Sequence, residues 1–185
     1  MSKMHLYHTG FSIISDPDIR HGRQNADFGQ GFYLSPDRDF AKKWAKYSPG
    51  METYINEYEL DMEGLKVKEL NRDKEWFDYI FSNRRFMDTA PEYDVVVGPI
   101  ANDTIFDTLG ILTAGVFDDD EALTMYMAGP EYYQVVVKTD RARENLKWLN
   151  ATQLSREVME ESARQVLAER NLFIENLNSI IEEMQ

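Results

Sequence analysis

Asp27-Phe28-Gly29-Gln30-Gly31-Phe32-Tyr33-Leu34-Ser35 is the stretch on which the reading of the fold turns. Three bulky residues in a row, Phe32 to Leu34, run into Pro36, so Gly31 to Ser35 reads as a short strand that ends where a helix starts. From Asp37 to Tyr47 the aromatic residues Phe40, Trp44 and Tyr47 recur at helical spacing. The Gly29-Gln30-Gly31 pair hints that the backbone passes close to something there. The unit is strand followed by helix.

On the N-terminal side, residues 4 to 8 read as a first strand, and Ser15 to Gln30 is too rich in Gly, Pro, Asp and Asn for regular structure. On the C-terminal side, Thr53 to Leu60 and Leu65 to Leu70 alternate in the manner of half-buried antiparallel strands. Apolar residues at Trp76, Phe77, Ile80 and Phe81 predict a helix over 74–87. Val95-Val96-Val97 before Gly98-Pro99 reads as a short buried strand. Helices are expected at 102–115 and 118–128, a β-prone run at Tyr132 to Lys138, and an edge strand at Leu146 to Leu149. Strands and helices interleave without the spacing of parallel βαβ repeats, which makes the class α+β.

From Thr152 to Met184 there is neither Gly nor Pro, and Leu154, Val158, Val166, Leu167, Phe173, Leu177, Ile180, Ile181 and Met184 form a broken apolar stripe. This is a helical tail, packed back on the domain or offered as an interaction surface to a second copy or a partner protein. The chain divides into a domain at residues 1–150 and a helical extension at 151–185.

With 185 residues, 43% of them hydrophobic, one core is expected. A net charge of −13 repels phosphates and disfavours broad electrostatic binding of nucleic acid. Cysteine is absent, which removes disulfides, thiolate metal sites and a cysteine nucleophile. The N-terminus lacks the apolar run of a signal peptide, and no run of about 18 apolar residues occurs, so the cytoplasm is the expected compartment. His5 and His8, three apart on a strand, face opposite ways and cannot chelate one ion, so no metal is expected. His21 is a lone loop histidine without a recognisable ligand partner. Neither a Walker-type loop nor a Gly-x-Ser-x-Gly elbow is present.

Three segments remain: Leu6-Tyr7-His8-Thr9-Gly10, the stretch from Asp27 to Ser35, and Tyr133-Gln134-Val135-Val136-Val137-Lys138-Thr139. They resemble the three signature strands of the ADP-ribosyltransferase-like superfamily. The run from His5 to about Leu149 looks like one bacterial family of that clan, domain of unknown function 3990. Asn56-Glu57-Tyr58, Asn83-Arg84 and the run from Tyr93 to Asp103 are similar to it as well. The resemblance implies split antiparallel or mixed sheets flanked by helices, NAD as substrate, and a mono-ADP-ribosyltransferase acting on a protein or nucleic acid, as the toxin of a toxin–antitoxin pair. It implies that His8 holds the nicotinamide ribose, that the backbone of Thr9 or Gly10 meets the nicotinamide amide, and that Tyr33 stacks on the ring. The catalytic set is then His8, Tyr33 and Gln134.

Gln134 aligns with a position where many members of the superfamily present a glutamate. A glutamine can bond a ribose hydroxyl but brings no charge. Glu57 and Asp103 are candidates for the missing carboxylate, whereas Glu131, three residues before Gln134, faces the other way on a regular strand. Arg23 and Asn25 are placed to hold the diphosphate, as a guanidinium forks onto phosphate oxygens. Trp44 and Tyr47 would extend the aromatic wall, unless they are core residues at helical spacing. Two other functions compete: a non-catalytic NAD-binding or protein-interaction scaffold, and an enzyme acting on nucleic acid through a groove lined by Lys42, Lys43 and Lys46.

Overall fold

The computed structural model describes residues 3–84, 92–101 and 119–184. The helix expected at 102–115, Asp103, and the end of the helix expected over 74–87 lie outside them. What is described is α+β, with two sheets, flanking helices and a C-terminal helix.

The first sheet joins β1 (Lys3–Gly10), β3 (Tyr54–Asp61) and β7 (Leu146–Gln153) in the order β1-β3-β7, all antiparallel. The period of two divides each strand between two faces. Leu6, Tyr58 and Leu60 point inward and are fully buried, while Ile55 and Tyr7 point outward under a helical cover. The second sheet runs β2-β6-β5-β4, built from β2 (Phe32–Leu34), β4 (Val67–Glu69), β5 (Val95–Pro99) and β6 (Tyr133–Val137). Its inner face sends Phe32, Leu34, Val95, Val135 and Val137 into the core shared with the first sheet.

Two of the expectations are corrected here. β4 pairs with β5 in parallel, Val67 opposite Val95, where an antiparallel strand was expected. A parallel pair needs a crossover of about a dozen residues or more, and the chain between them contains α2 (Lys74–Arg84). That helix lays Trp76, Phe77 and Ile80 on Val96 and Val136, the outer face of the second sheet, and on Phe28 of the loop before β2. α3 (Asp119–Met127) adds Leu123 to the same layer. The second correction concerns α1, which spans Arg38–Lys43 and stops short of Tyr47. Asp37 caps its start by accepting from the N–H groups of Asp39 and Phe40 at 2.8 and 3.1 Å. Its last turn tightens at Trp44, whose N–H meets the Ala41 carbonyl at 3.3 Å, and Pro49 follows.

α4 (Asp140–Glu144) leads into β7, and α5 (Arg156–Met184) follows it. The helix therefore begins at Arg156, because Thr152 and Gln153 still pair with Ile55 and Tyr54. α5 packs back on the domain: Met159, with Leu154 just before the helix, covers Ala41 and Ile55, and Phe173 closes on Phe40 and Ile100. Val158, Leu167, Leu172 and Ile174 flank that buried face and are exposed, so the apolar stripe is only partly covered. No helix among the described residues is long and apolar enough to cross a membrane.

The docking of α5 predicts unequal costs for neighbouring truncations. Phe173→Ala, at a ring only 2% exposed, should destabilise by about 3–5 kcal/mol in urea unfolding. Leu172→Ala, at a residue 58% exposed, should stay within about 0.5 kcal/mol.

Candidate functional site

The two sheets meet at one backbone pair. Tyr7 and Ser35 exchange N–H···O bonds of 2.8 Å in both directions, and beyond them β1 and β2 separate. The Tyr33 carbonyl, one ladder step further on, is bonded by the His8 imidazole through Nδ1 at 2.7 Å. A carbonyl oxygen only accepts, so Nδ1 carries the proton and Nε2 keeps its lone pair in the neutral ring. Burial pushes the His8 pKa below the ordinary histidine value, and the Tyr33 carbonyl offsets part of that. The ring leans on Phe32, centroids 4.5 Å apart. His8 thus props the mouth of a cleft and presents an uncharged acceptor.

Tyr33 is fixed by its hydroxyl, which donates to the Gly29 carbonyl at 2.7 Å and accepts from the Phe28 N–H at 3.0 Å. Burial, and after it the charge of Asp27, push its phenol well above the ordinary range. The turn it grips depends on Gly29, at φ 75°. A Cβ there would stand 3.0 Å from Asn83 Oδ1 and from Lys138 Nζ. At Gly31 a Cβ would come within 2.6 Å of Val136. The close approach hinted at by Gly29-Gln30-Gly31 is therefore to β6 and α2.

That turn delivers a residue the sequence reading missed. Asp27 Oδ1 accepts from Arg84 Nη2 at 2.6 Å and Nε at 3.2 Å. Its Oδ2 accepts from the Ala101 N–H at 3.1 Å and from Gln134 Nε2 at 3.3 Å. Gln134 is buried and stands on the outer face of β6 with Val136. Its amide nitrogen faces the carboxylate, which leaves Oε1 as its acceptor. Among the described residues, the carboxylate that lines the cleft is Asp27. Glu57 does not line the cavity and stands 3.4 Å from His5 and 3.5 Å from Arg38, and Asp103 lies outside the described residues. The only signal for Asp27 was its place at the head of the quoted stretch, since a loop residue has no periodicity to betray its face.

His8, Thr9, Tyr33, Gln134, Asp27, Arg23 and Trp44 line one cavity of about 250 Å³, with Phe40, Ala41 and Ile100 closing its sides. Thr9 is tied to α1 by a 2.6 Å bond from its hydroxyl to the Ala41 carbonyl. Arg23 is exposed at the lip. Gly10, Asn25, His21, Glu131 and Tyr47 do not line the cavity, and Tyr47 instead lies under the Arg156 guanidinium. Of the three lysines considered for a nucleic-acid groove, Lys42 is paired with Asp39 and Lys43 with Glu169 and Tyr132. Among the described residues no cluster of His, Asp and Glu could hold a metal ion.

A profile of the family described as protein of unknown function (DUF3990) matches residues 4–148. The chain belongs to this family. No curated protein and no solved structure matches it. The DUF3990 span takes in every strand that lines the cleft and ends inside β7, so α5, which backs the cleft through Phe40, lies beyond it.

Two outcomes follow from these bonds. Tyr33→Phe keeps the ring but strands the Phe28 N–H and the Gly29 carbonyl, and should cost about 1–3 kcal/mol in urea unfolding. For His8 the folded pKa is lowered relative to the unfolded chain, so below the ordinary value of 6.5 the unfolded state takes up the proton first. Stability should be level above that pH and fall as the pH drops below it. Unfolding curves of His8→Gln should lack that component.

Proposed function

We propose that this chain is an NAD-dependent mono-ADP-ribosyltransferase with an ADP-ribosyltransferase-like fold. The observation that carries the reading is the charge pattern of the cleft. A carboxylate, Asp27, sits inside and a guanidinium, Arg23, at the exposed lip, with aromatic side chains between them. That arrangement complements a molecule with a flat cationic ring at one end and a diphosphate next to it. The three segments that resemble the superfamily's signature strands also converge on this one cavity.

In this reading Tyr33 and Trp44 supply the apolar faces for the pyridinium, and Thr9 the backbone that meets its amide. His8 Nε2 accepts from a hydroxyl of the nicotinamide ribose, and Gln134 Oε1 accepts from another. Arg23 holds the diphosphate. The C1′–N bond breaks with its electron pair going to the nicotinamide nitrogen, which becomes neutral, while positive charge passes to the ribose. Asp27, behind Gln134, supplies the negative charge that the amide lacks, in a site where such fields act strongly. A nucleophile of an acceptor protein or nucleic acid then bonds to C1′ and loses its proton to water. The place of the chain as a toxin, and of α5 as the seat of an antitoxin or a second copy, belongs to the same proposal and is supported only by the resemblance and by the exposed Leu167, Leu172 and Ile174.

The neutral amide at Gln134 favours one other reading, a scaffold that binds NAD and leaves it intact. Nicotinamide release from NAD, measured with and without a lysate as acceptor source, separates them. The transferase should release nicotinamide, and His8→Ala, Tyr33→Ala and Gln134→Ala should each slow it by about 10²-fold or more. Binding without release under all conditions leaves the scaffold.

A further inference from the structure

Among the described residues, Asp27 and Arg23 are the charged ones that line the cleft, and they differ in depth. Arg23 is exposed, whereas the Asp27 side chain is only 20% accessible. His8, the other titratable base of the lining, is held neutral by burial. The Asp27 carboxylate already accepts four N–H bonds, two at each oxygen. Its acceptor sites are therefore filled, and what it offers a ligand is charge rather than a hydrogen bond. Arg84 compensates that charge from the α2 side and is not part of the lining. The charge is felt at the aromatic wall: the Tyr33 hydroxyl is pushed upward by burial first and then by Asp27, and Arg23 pulls it back by less. Tyr33 and Trp44 add ring faces, which attract cations.

We infer that Asp27 makes this cleft select a flat ring that carries positive charge over the same ring without it, and so the oxidised nicotinamide dinucleotide over the reduced one. The selection deepens the NAD reading of the same site, on which it rests for the identity of the ring, but it is a property of binding and needs no turnover. A charge fixed in a half-dry cleft discriminates between ligands of equal shape, because shape contacts cancel and the Coulombic difference does not.

The probes are 1-methylnicotinamide, a cation, and nicotinamide, nearly its neutral twin, followed by NAD+ and NADH. Each is titrated calorimetrically into the full chain. The wild type should bind the cationic member of each pair about tenfold more tightly. Asp27→Asn, with folding checked by circular dichroism, should bring the ratio close to one. Arg23→Gln, a substitution at an exposed residue, should raise the preference for 1-methylnicotinamide. Equal binding of the two small probes by wild type overturns the inference, as does a folded Asp27→Asn that keeps the preference. Should Asp27→Asn fail to fold, an unchanged or lowered preference in Arg23→Gln overturns it and a raised one supports it. A wild type that prefers the cation yet never releases nicotinamide supports the selection and removes the transferase. Release of nicotinamide with no charge preference does the reverse.

Discussion

Four N–H groups from three distant parts of the chain converge on the Asp27 carboxylate, and the floor of the cleft is held together by that convergence. Arg84 brings the end of α2, Ala101 brings the chain leaving β5, and Gln134 brings the start of β6. Each partner would be costly to bury alone, since an unpaired guanidinium or amide loses its hydration without return. Together they satisfy one another, and the loop from residue 11 to 31, which has little regular structure of its own, is pinned at the point where it enters β2. Ion pairs of this kind are poor sources of net stability, because desolvation offsets much of the attraction. Their effect here is on geometry: they fix where one negative charge stands relative to the aromatic wall.

The mouth of the cleft comes from a different constraint. Two sheets that, among the described residues, share only the Tyr7–Ser35 pair must diverge on one side of it, and the carbonyls left behind need donors. The His8 ring meets that need for Tyr33 without closing the gap, because an imidazole reaches across a distance that a backbone N–H cannot. The same bond sets the tautomer and so the character of the exposed nitrogen. A side chain that completes a broken ladder is thereby also an oriented acceptor at the entrance.

Much of this was legible in the sequence, and the reasons it stopped being legible are local. The period of two along β3 placed Tyr58 and Leu60 on one face, whereas the run Val135-Val136-Val137 in β6 carries no such period and its two faces show only in the fold. The direction of β4 was not legible, since a strand of three residues reads alike in either direction and the crossover through α2 decides it. The length of α1 was overestimated because Trp44 keeps the aromatic spacing after the helix has ended, with its ring edge-on to Phe40 at 5.8 Å. Asp27 was invisible for a deeper reason. Its partners lie 57, 74 and 107 residues away in the chain, and no window on the sequence contains any of them.

The C-terminal helix, which reads in sequence as an appendage, proves to be part of the wall. Phe40 lines the cleft and stacks on Tyr132 with ring centroids 4.2 Å apart, and Phe173 of α5 lies behind it. Lys43, one turn further along α1, bonds both Tyr132 and Glu169 of α5. Burial alone would lower the Lys43 pKa, yet the Glu169 carboxylate and the Tyr132 hydroxyl raise it above that of an ordinary lysine. α1 has only six residues, too few to hold its own position by helix propensity. Its placement over β1, and with it Ala41, Trp44 and the Thr9 contact, depends on being clamped from outside by α5. The cleft is accordingly built from the domain on three sides and from the tail, acting through α1, on the fourth.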